Sequence, residues 1–155
     1  MIQLRTYHPD DWDAIAVIHD RARLDELRSS VGVDAFLSLA ATFENEGLFE
    51  GEVWVAWEGE TVVGFIAFAE DEVTWLYVSP DHYRRGIGKK LLRQAIHRCG
   101  NIVTTSVLSG NEVALQLYLS EGFKIIETKT GQLNGNESFS ATGHLLELDK
   151  RSLTP

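Results

Sequence analysis

The stretch Val78–Cys99, VSPDHYRRGIGKKLLRQAIHRC, constrains this chain more than any other. It reads as the end of a strand, a tight basic turn and the start of an amphipathic helix. From Gly86 onward Ile87, Leu91, Leu92, Ala95, Ile96 and Cys99 recur at helical spacing, while Lys89, Lys90, Arg93, His97 and Arg98 fall mostly on the other side. Strand, turn and helix in immediate succession set an α/β frame into which the other segments have to fit.

The first turn of that helix carries Gly86 and Gly88 next to Arg84, Arg85 and Lys89, so little side chain shields the N–H groups that lack intrahelical partners. Bare N–H donors and the positive end of the helix dipole together can receive phosphate oxygens. The charge distribution points the same way. The chain has a formal charge of -9, yet between Tyr83 and Asn111 it has six Lys or Arg and no Asp or Glu. A solvated helix face would also give a run of charge, and it is the glycines that favour a polyanionic ligand.

Three phosphate motifs can be tried against the turn. A Walker loop needs Ser or Thr after Gly-Lys, and Lys90 follows Gly88-Lys89. A dinucleotide fingerprint needs glycine where Leu91 stands and an acid some twenty residues on, which is absent. RRGIGKKLL after Leu76-Tyr77-Val78-Ser79-Pro80 resembles instead the acyl-CoA pyrophosphate loop of the GNAT superfamily of N-acetyltransferases. Tyr83 stands where that family has Gln or Arg, a departure that Arg84 and Arg85 can offset. Downstream, Asn111, Ala114, Leu117, Tyr118, Gly122 and Phe123 in NEVALQLYLSEGF match the family's Asn-x-x-Ala-x-x-Leu/Phe-Tyr-x-x-x-Gly-Phe helix and turn. The two motifs in this order, separated by a strand, reinforce one another.

A length of 155 residues suits one domain with a substantial core. We expect that domain to span residues 1–150, with 151–155 a short tail. No apolar run approaches the roughly 18 residues a membrane span needs, and the first residues lack a signal-peptide pattern, so a cytoplasmic location is expected. The acidic balance argues against nucleic acid as a partner. The single cysteine, Cys99, lies on the apolar face of the helix and reads as a core residue, which disfavours an acyl-cysteine mechanism.

Taken in order, Ile2–Thr6 reads as a strand, and Pro9 opens a helix with Trp12, Ile15, Ile18 and Ala22 inward. A second helix is expected over Gly32–Leu48, with Val33, Phe36, Leu37, Ala40 and Phe43 inward. Glu52–Glu58 and Thr61–Glu70 form a hairpin about Gly59, and Val73–Ser79 is the strand feeding the basic turn. Ile102–Val107 is a further strand, and Asn111 can cap the helix after it. Phe123–Thr130 and His144–Asp149 read as a closing strand pair, with Gly131–Gly143 a long mobile loop between them. The order βααβββαβαββ is that of the GNAT fold: an α/β domain with a mixed, mostly antiparallel sheet of about seven strands and four helices.

The resemblance implies acetyl-CoA as cosubstrate, with no metal. Its pantetheine would run along Leu76, Tyr77 and Val78, its pyrophosphate would rest on Arg84, Arg85, Gly86, Ile87, Gly88 and Lys89, and Asn111 would lie beside it. Tyr118 matches the family tyrosine that faces the CoA sulfur, and Glu72 the position where some members place a catalytic glutamate. The activity implied is transfer of an acetyl group to a primary amine, on a small cationic molecule or a peptide, by direct attack in a ternary complex. A domain that binds acyl-CoA as a sensor and transfers nothing is the alternative. Trp12, Phe36 and Phe43 are candidate walls for the acceptor, and both monomer and homodimer stay open.

Overall fold

The computed structural model describes residues 1–153, so Thr154 and Pro155 of the expected tail lie outside it. The elements run β1 (Ile2–Thr6), α1 (Trp12–Arg28), α2 (Leu39–Thr42), β2 (Glu52–Glu58), β3 (Thr61–Ala69), β4 (Glu72–Val78), α3 (Ile87–Arg98), β5 (Ile102–Leu108), α4 (Glu112–Ser120), β6 (Lys124–Leu133) and β7 (Asn136–Asp149). The seven strands form one sheet in the order β1-β2-β3-β4-β5-β7-β6, and β4–β5 is its parallel pair. Among the described residues no helix is long and apolar enough to cross a membrane.

The apolar stripe read from the sequence is what seats α3. Its Ile87, Leu91, Leu92 and Ala95 are buried against Val63, Ile66, Val73 and Val103 of the sheet, with Leu115 and Tyr118 of α4 in the same cluster. Removing such side chains from water contributes about 1.5–3 kcal/mol each. On the opposite face α1 packs Ile15 and Ile18 against Val53, Val55, Phe65, Ala67 and Trp75.

Between these layers β4 and β5 pair only at Glu72–Thr104 and Val73–Thr105. Immediately beyond, the β3–β4 register skips Thr74, which is the extra residue of a β-bulge. A bulge bends its strand and ends regular pairing. Past this point the two parallel strands part, leaving a gap that opens toward the start of α3.

Two expectations are corrected. Gly32–Leu48 is not one helix: it contains a 3-10 turn at Val33–Ala35 and the single-turn α2. Gly32 has φ +107° and Phe36 is extended, and both interrupt helical geometry. Ser38 then caps α2, and the Asp20 carboxylate of α1 accepts the Leu39 N–H at 2.8 Å. The buried residues are Ala35, Leu39 and Leu48, whereas Val33, Leu37 and Ala40 are exposed and Phe36 and Phe43 are half-buried.

Nor is Gly131–Gly143 a loop. β6 continues to Leu133 and β7 starts at Asn136, joined by the two-residue turn Asn134-Gly135 with Gly135 at φ +83°. Only Gly135 of the two turn residues takes positive φ, a conformation glycine adopts without the steric cost a Cβ would bring. The polar composition around it obscured the turn. The hairpin tip folds over the corrected segment: Leu133 packs with Leu27 and Ala35, and the Asn136 amide donates to the Ala35 carbonyl at 3.0 Å.

Candidate active site

The gap between β4 and β5 has backbone on one side and a phenol at its closed end. Ser79 N–H donates to the Val63 carbonyl at 2.8 Å, which puts Ser79 in a hydrogen-bonded pair with β3. By antiparallel alternation Tyr77 also turns its backbone groups to β3, while those of Leu76 and Val78 point away from it toward the gap. The structure therefore places Leu76 and Val78 along the gap. Tyr77 sits with its side chain on the α1 face and its backbone committed to the sheet.

At the closed end the Tyr118 side chain is 5% exposed and lies beside Thr105, whose hydroxyl donates to the Val73 carbonyl at 3.0 Å. The ring meets Phe123 edge-on at 5.3 Å, so both roles weighed for Tyr118, packing and chemistry, are present in its position. Burial pushes its phenol up to about 12. It therefore stays protonated, and available as a donor, throughout the neutral range.

At the open end no side chain caps α3, and its Gly86 N-cap is left-handed at φ +77°. A Cβ added to Gly86 would meet nothing within 4 Å, so the helix start opens onto free space, as a phosphate cradle requires. Gly88 is packed instead under Leu117 and Val78, and Ile87 is core, so these two offer only backbone to a ligand. Arg84 is itself left-handed at φ +64°. That conformation costs a non-glycine residue about 1–2 kcal/mol, the kind of strain that collects at ligand-binding turns.

The basic residues here are not equivalent. Arg85 is held by Glu58 through two bonds of 2.9 and 2.6 Å, and Lys90 donates to the Ile2 carbonyl at 2.7 Å. Arg84 and Lys89 have no ion pair among the described residues and are exposed at the helix start. Tyr83, at the departure from the family pattern, donates to Asp25 of α1 at 3.0 Å, and Arg21 clasps Asp81 at 3.0 and 3.1 Å. The turn is thereby moored to α1.

Glu72 is exposed at the first position of β4, one residue from the Val73–Thr105 contact that closes the gap. Asn111 caps α4 by accepting the Ala114 N–H at 3.4 Å. Its amide donates at 3.0 Å to Glu26, which the sequence reading did not single out. Glu26 also accepts the Tyr77 hydroxyl at 2.9 Å and pairs with Arg23 one turn earlier on α1. An i,i+3 Arg–Glu pair in sequence reads as a solvated helix face, so nothing local signalled this arrangement. Trp12 and Phe43, with rings 4.8 Å apart, join Phe49 in an aromatic cluster on the α1 face, while Phe36 packs toward the hairpin tip. Among the described residues no cluster of three or more His, Cys, Asp or Glu is placed to hold a metal ion.

A profile described as "Acetyltransferase (GNAT) domain" matches residues 49–125. The chain is 33% identical to a peptidyl-lysine N-acetyltransferase, YjaB, of Salmonella typhimurium over 63% of this chain and 71% of that one. It is 32% identical to an N-acetyltransferase of Escherichia coli, YafP, over 61% of this chain, and spans 65% of that protein's length. With an L-amino acid N-acyltransferase of the same organism, MnaT, identity is 28% over 97% and 96% of the two chains. The structure of yncA from Salmonella typhimurium with its cofactor acetyl-CoA superposes with TM-score 0.70 at 23% identity, covering 96% of this chain and 94% of that one. A GCN5-related N-acetyltransferase structure from Rhodopseudomonas palustris gives TM-score 0.73 at 22% identity over 95% and 94%.

Proposed function

This chain belongs to the GNAT family of acyl-CoA-dependent N-acyltransferases, and from that premise we propose that it moves an acetyl group from acetyl-CoA to a primary amine by direct attack with both substrates bound. An L-amino acid and a peptidyl lysine, named for two relatives, each present such an amine. The observation that carries the reading is the pairing of an uncapped, glycine-opened helix start at one end of the gap with the Tyr118 phenol at the other.

Acetyl-CoA supplies the acetyl group as a thioester, so transfer to an ammonium makes a C–N bond, breaks a C–S bond and removes two protons from nitrogen, one released through a base to solvent and one that ends on sulfur. The uncapped N–H groups of α3, with Arg84 and Lys89, would hold the pyrophosphate, and the free backbone groups of Leu76 and Val78 the pantetheine. The fit supports this: these groups face open space or the gap, and no acidic side chain occupies the α3 start. A backbone N–H on the same strand can also polarise the acetyl oxygen.

Tyr118 serves the sulfur. A phenol near 12 beside a thiol near 8.5 makes complete proton transfer uphill by about 5 kcal/mol, so Tyr118 donates a hydrogen bond as negative charge builds on sulfur, and the thiolate takes the second proton lost by nitrogen, directly or through water. Glu72 is the base: exposed carboxylate oxygen beside the closed end of the gap takes the proton from the incoming ammonium, directly or through water.

The test is release of free thiol from acetyl-CoA over a panel of primary amines, comparing wild type with Tyr118→Phe. We expect multiple turnover with at least one amine and a loss of roughly 10²-fold in kcat for the variant, with no alkaline fall in the wild-type rate below pH 10. Unchanged turnover in Tyr118→Phe at every pH rejects that residue as donor. Absence of turnover with every amine, with acetyl-CoA still bound, selects the sensor alternative.

A further inference from the structure

We propose that Glu26 is a positioning residue for this reaction: it ties β4 to the start of α4 across the gap and thereby sets where the Tyr118 phenol stands. The proposal rests on the acyl-transfer reading above.

Beyond Val73–Thr105 no ladder pairing joins β4 to β5, so backbone hydrogen bonds do not set the width of the gap. Packing and side-chain bonds set it instead. One carboxylate has donors on both sides: Tyr77 from β4 at 2.9 Å and Asn111 from the first residue before α4 at 3.0 Å. It reaches them from α1, a third element, where its pairing with Arg23 balances its charge in a setting that leaves each side chain less than a fifth exposed.

The geometry also determines the orientation of Asn111. Its amide oxygen accepts from Ala114 while its amide nitrogen faces Glu26. Turning the amide over would set oxygen against carboxylate and remove the acceptor from the helix start, two unfavourable changes at once. Glu26 therefore fixes the cap of the nine-residue helix that carries Tyr118 two turns later. The Tyr77 hydroxyl lies in a part-buried setting and donates to Glu26, so losing the carboxylate leaves that donor without its acceptor.

A tie of this kind acts on rate through Tyr118 and leaves the binding sites unchanged. That separates it from a carboxylate that binds the acceptor amine, whose removal raises the acceptor KM, and from a second base, whose removal adds to the loss of Tyr118. The experiment is a double-mutant cycle of Glu26→Gln and Tyr118→Phe, read as kcat and KM for acetyl-CoA and for the best amine, with melting curves for each variant. We expect Glu26→Gln alone to lower kcat ~30-fold with both KM values within about threefold, and to lower it by less than about threefold further in the Tyr118→Phe background.

Full additivity, an unchanged kcat in Glu26→Gln, or a raised acceptor KM at unchanged kcat overturns the proposal. Loss of all effect in Tyr118→Phe alone overturns the donor assignment and the tie with it, so the two failures are distinguishable. Should Glu26→Gln not fold, Tyr77→Phe removes one donor and leaves the carboxylate in place. It is then expected to lower kcat about threefold to tenfold with the same disappearance in the Tyr118→Phe background, and additivity there overturns the proposal equally.

Discussion

The two ends of the gap are built on different scales of sequence distance. The α3 end is local: Leu76 to Lys89 supply both the free strand edge and the uncapped helix start. The closed end is assembled from afar, with Glu26 bonded to Asn111 across 85 residues, as is the hairpin tip, with Asn136 bonded to Ala35 across 101. A local site can be read from spacing and turn chemistry. A site made by distant contacts depends on elements whose meeting no short window records.

If the two ends are separable, each can be damaged with the other intact. The largest effect is expected from Gly86→Glu, which puts a carboxylate where phosphate should rest and forces a side chain into φ +77°. Acetyl-CoA affinity by calorimetry should fall at least ~100-fold, with the melting temperature lowered only by the backbone strain. Undiminished affinity would remove the pyrophosphate from this helix start.

Next in size is Leu133→Ala, which empties a 4% exposed site under the hairpin tip. A loss of about 2 kcal/mol, or roughly 4–8 °C in melting temperature, is expected. The acceptor KM should rise several-fold while acetyl-CoA affinity stays within about twofold. An equal loss of acetyl-CoA affinity would show that the two ends are one cooperative unit.

The smallest effect concerns His19, buried on α1 against Tyr77 and bonded to Asp20 at 2.9 Å. Burial holds its imidazole below the ordinary 6.5, although Asp20 pulls it back up. On acidification the unfolded chain therefore takes up the proton before the folded one, and stability falls as pH drops below about 6.5. Melting temperatures between pH 7.5 and 5.5 should decline less steeply in His19→Gln than in wild type. Identical slopes would mean that His19 does not couple the α1 face to pH.

The parts legible in sequence are those whose signal and structure share a short window. Ile87, Leu91, Leu92 and Ala95 are buried as their period indicated, Gly86 is the left-handed opening of α3, and Asn111 caps α4. Glu72 and Tyr118 stand in motif positions, and their places, the first residue of β4 and the neighbourhood of Thr105, come from the fold. Residues 32–48 were misread because their apolar residues happen to recur at helical spacing. Ala35, Leu39 and Leu48 were buried instead by contacts with α1, the sheet and the hairpin. The hairpin itself hid behind a polar composition that resembles a loop until Asn134-Gly135 is seen as a turn.

By itself the sequence determined the order of elements, the basic glycine-opened helix start and the position of a phenol on the helix after it, because local periodicity, turn chemistry and spacing act within a few residues. Only the tertiary structure decided that Arg85 is held by Glu58 while Arg84 and Lys89 have no ion pair among the described residues. It likewise decided that Tyr77 turns away from the gap and that Glu26 bridges it. Those outcomes depend on which donors and acceptors meet once the layers have packed, and a hydrogen bond between residues 85 positions apart has no energy until the fold brings them within 3 Å.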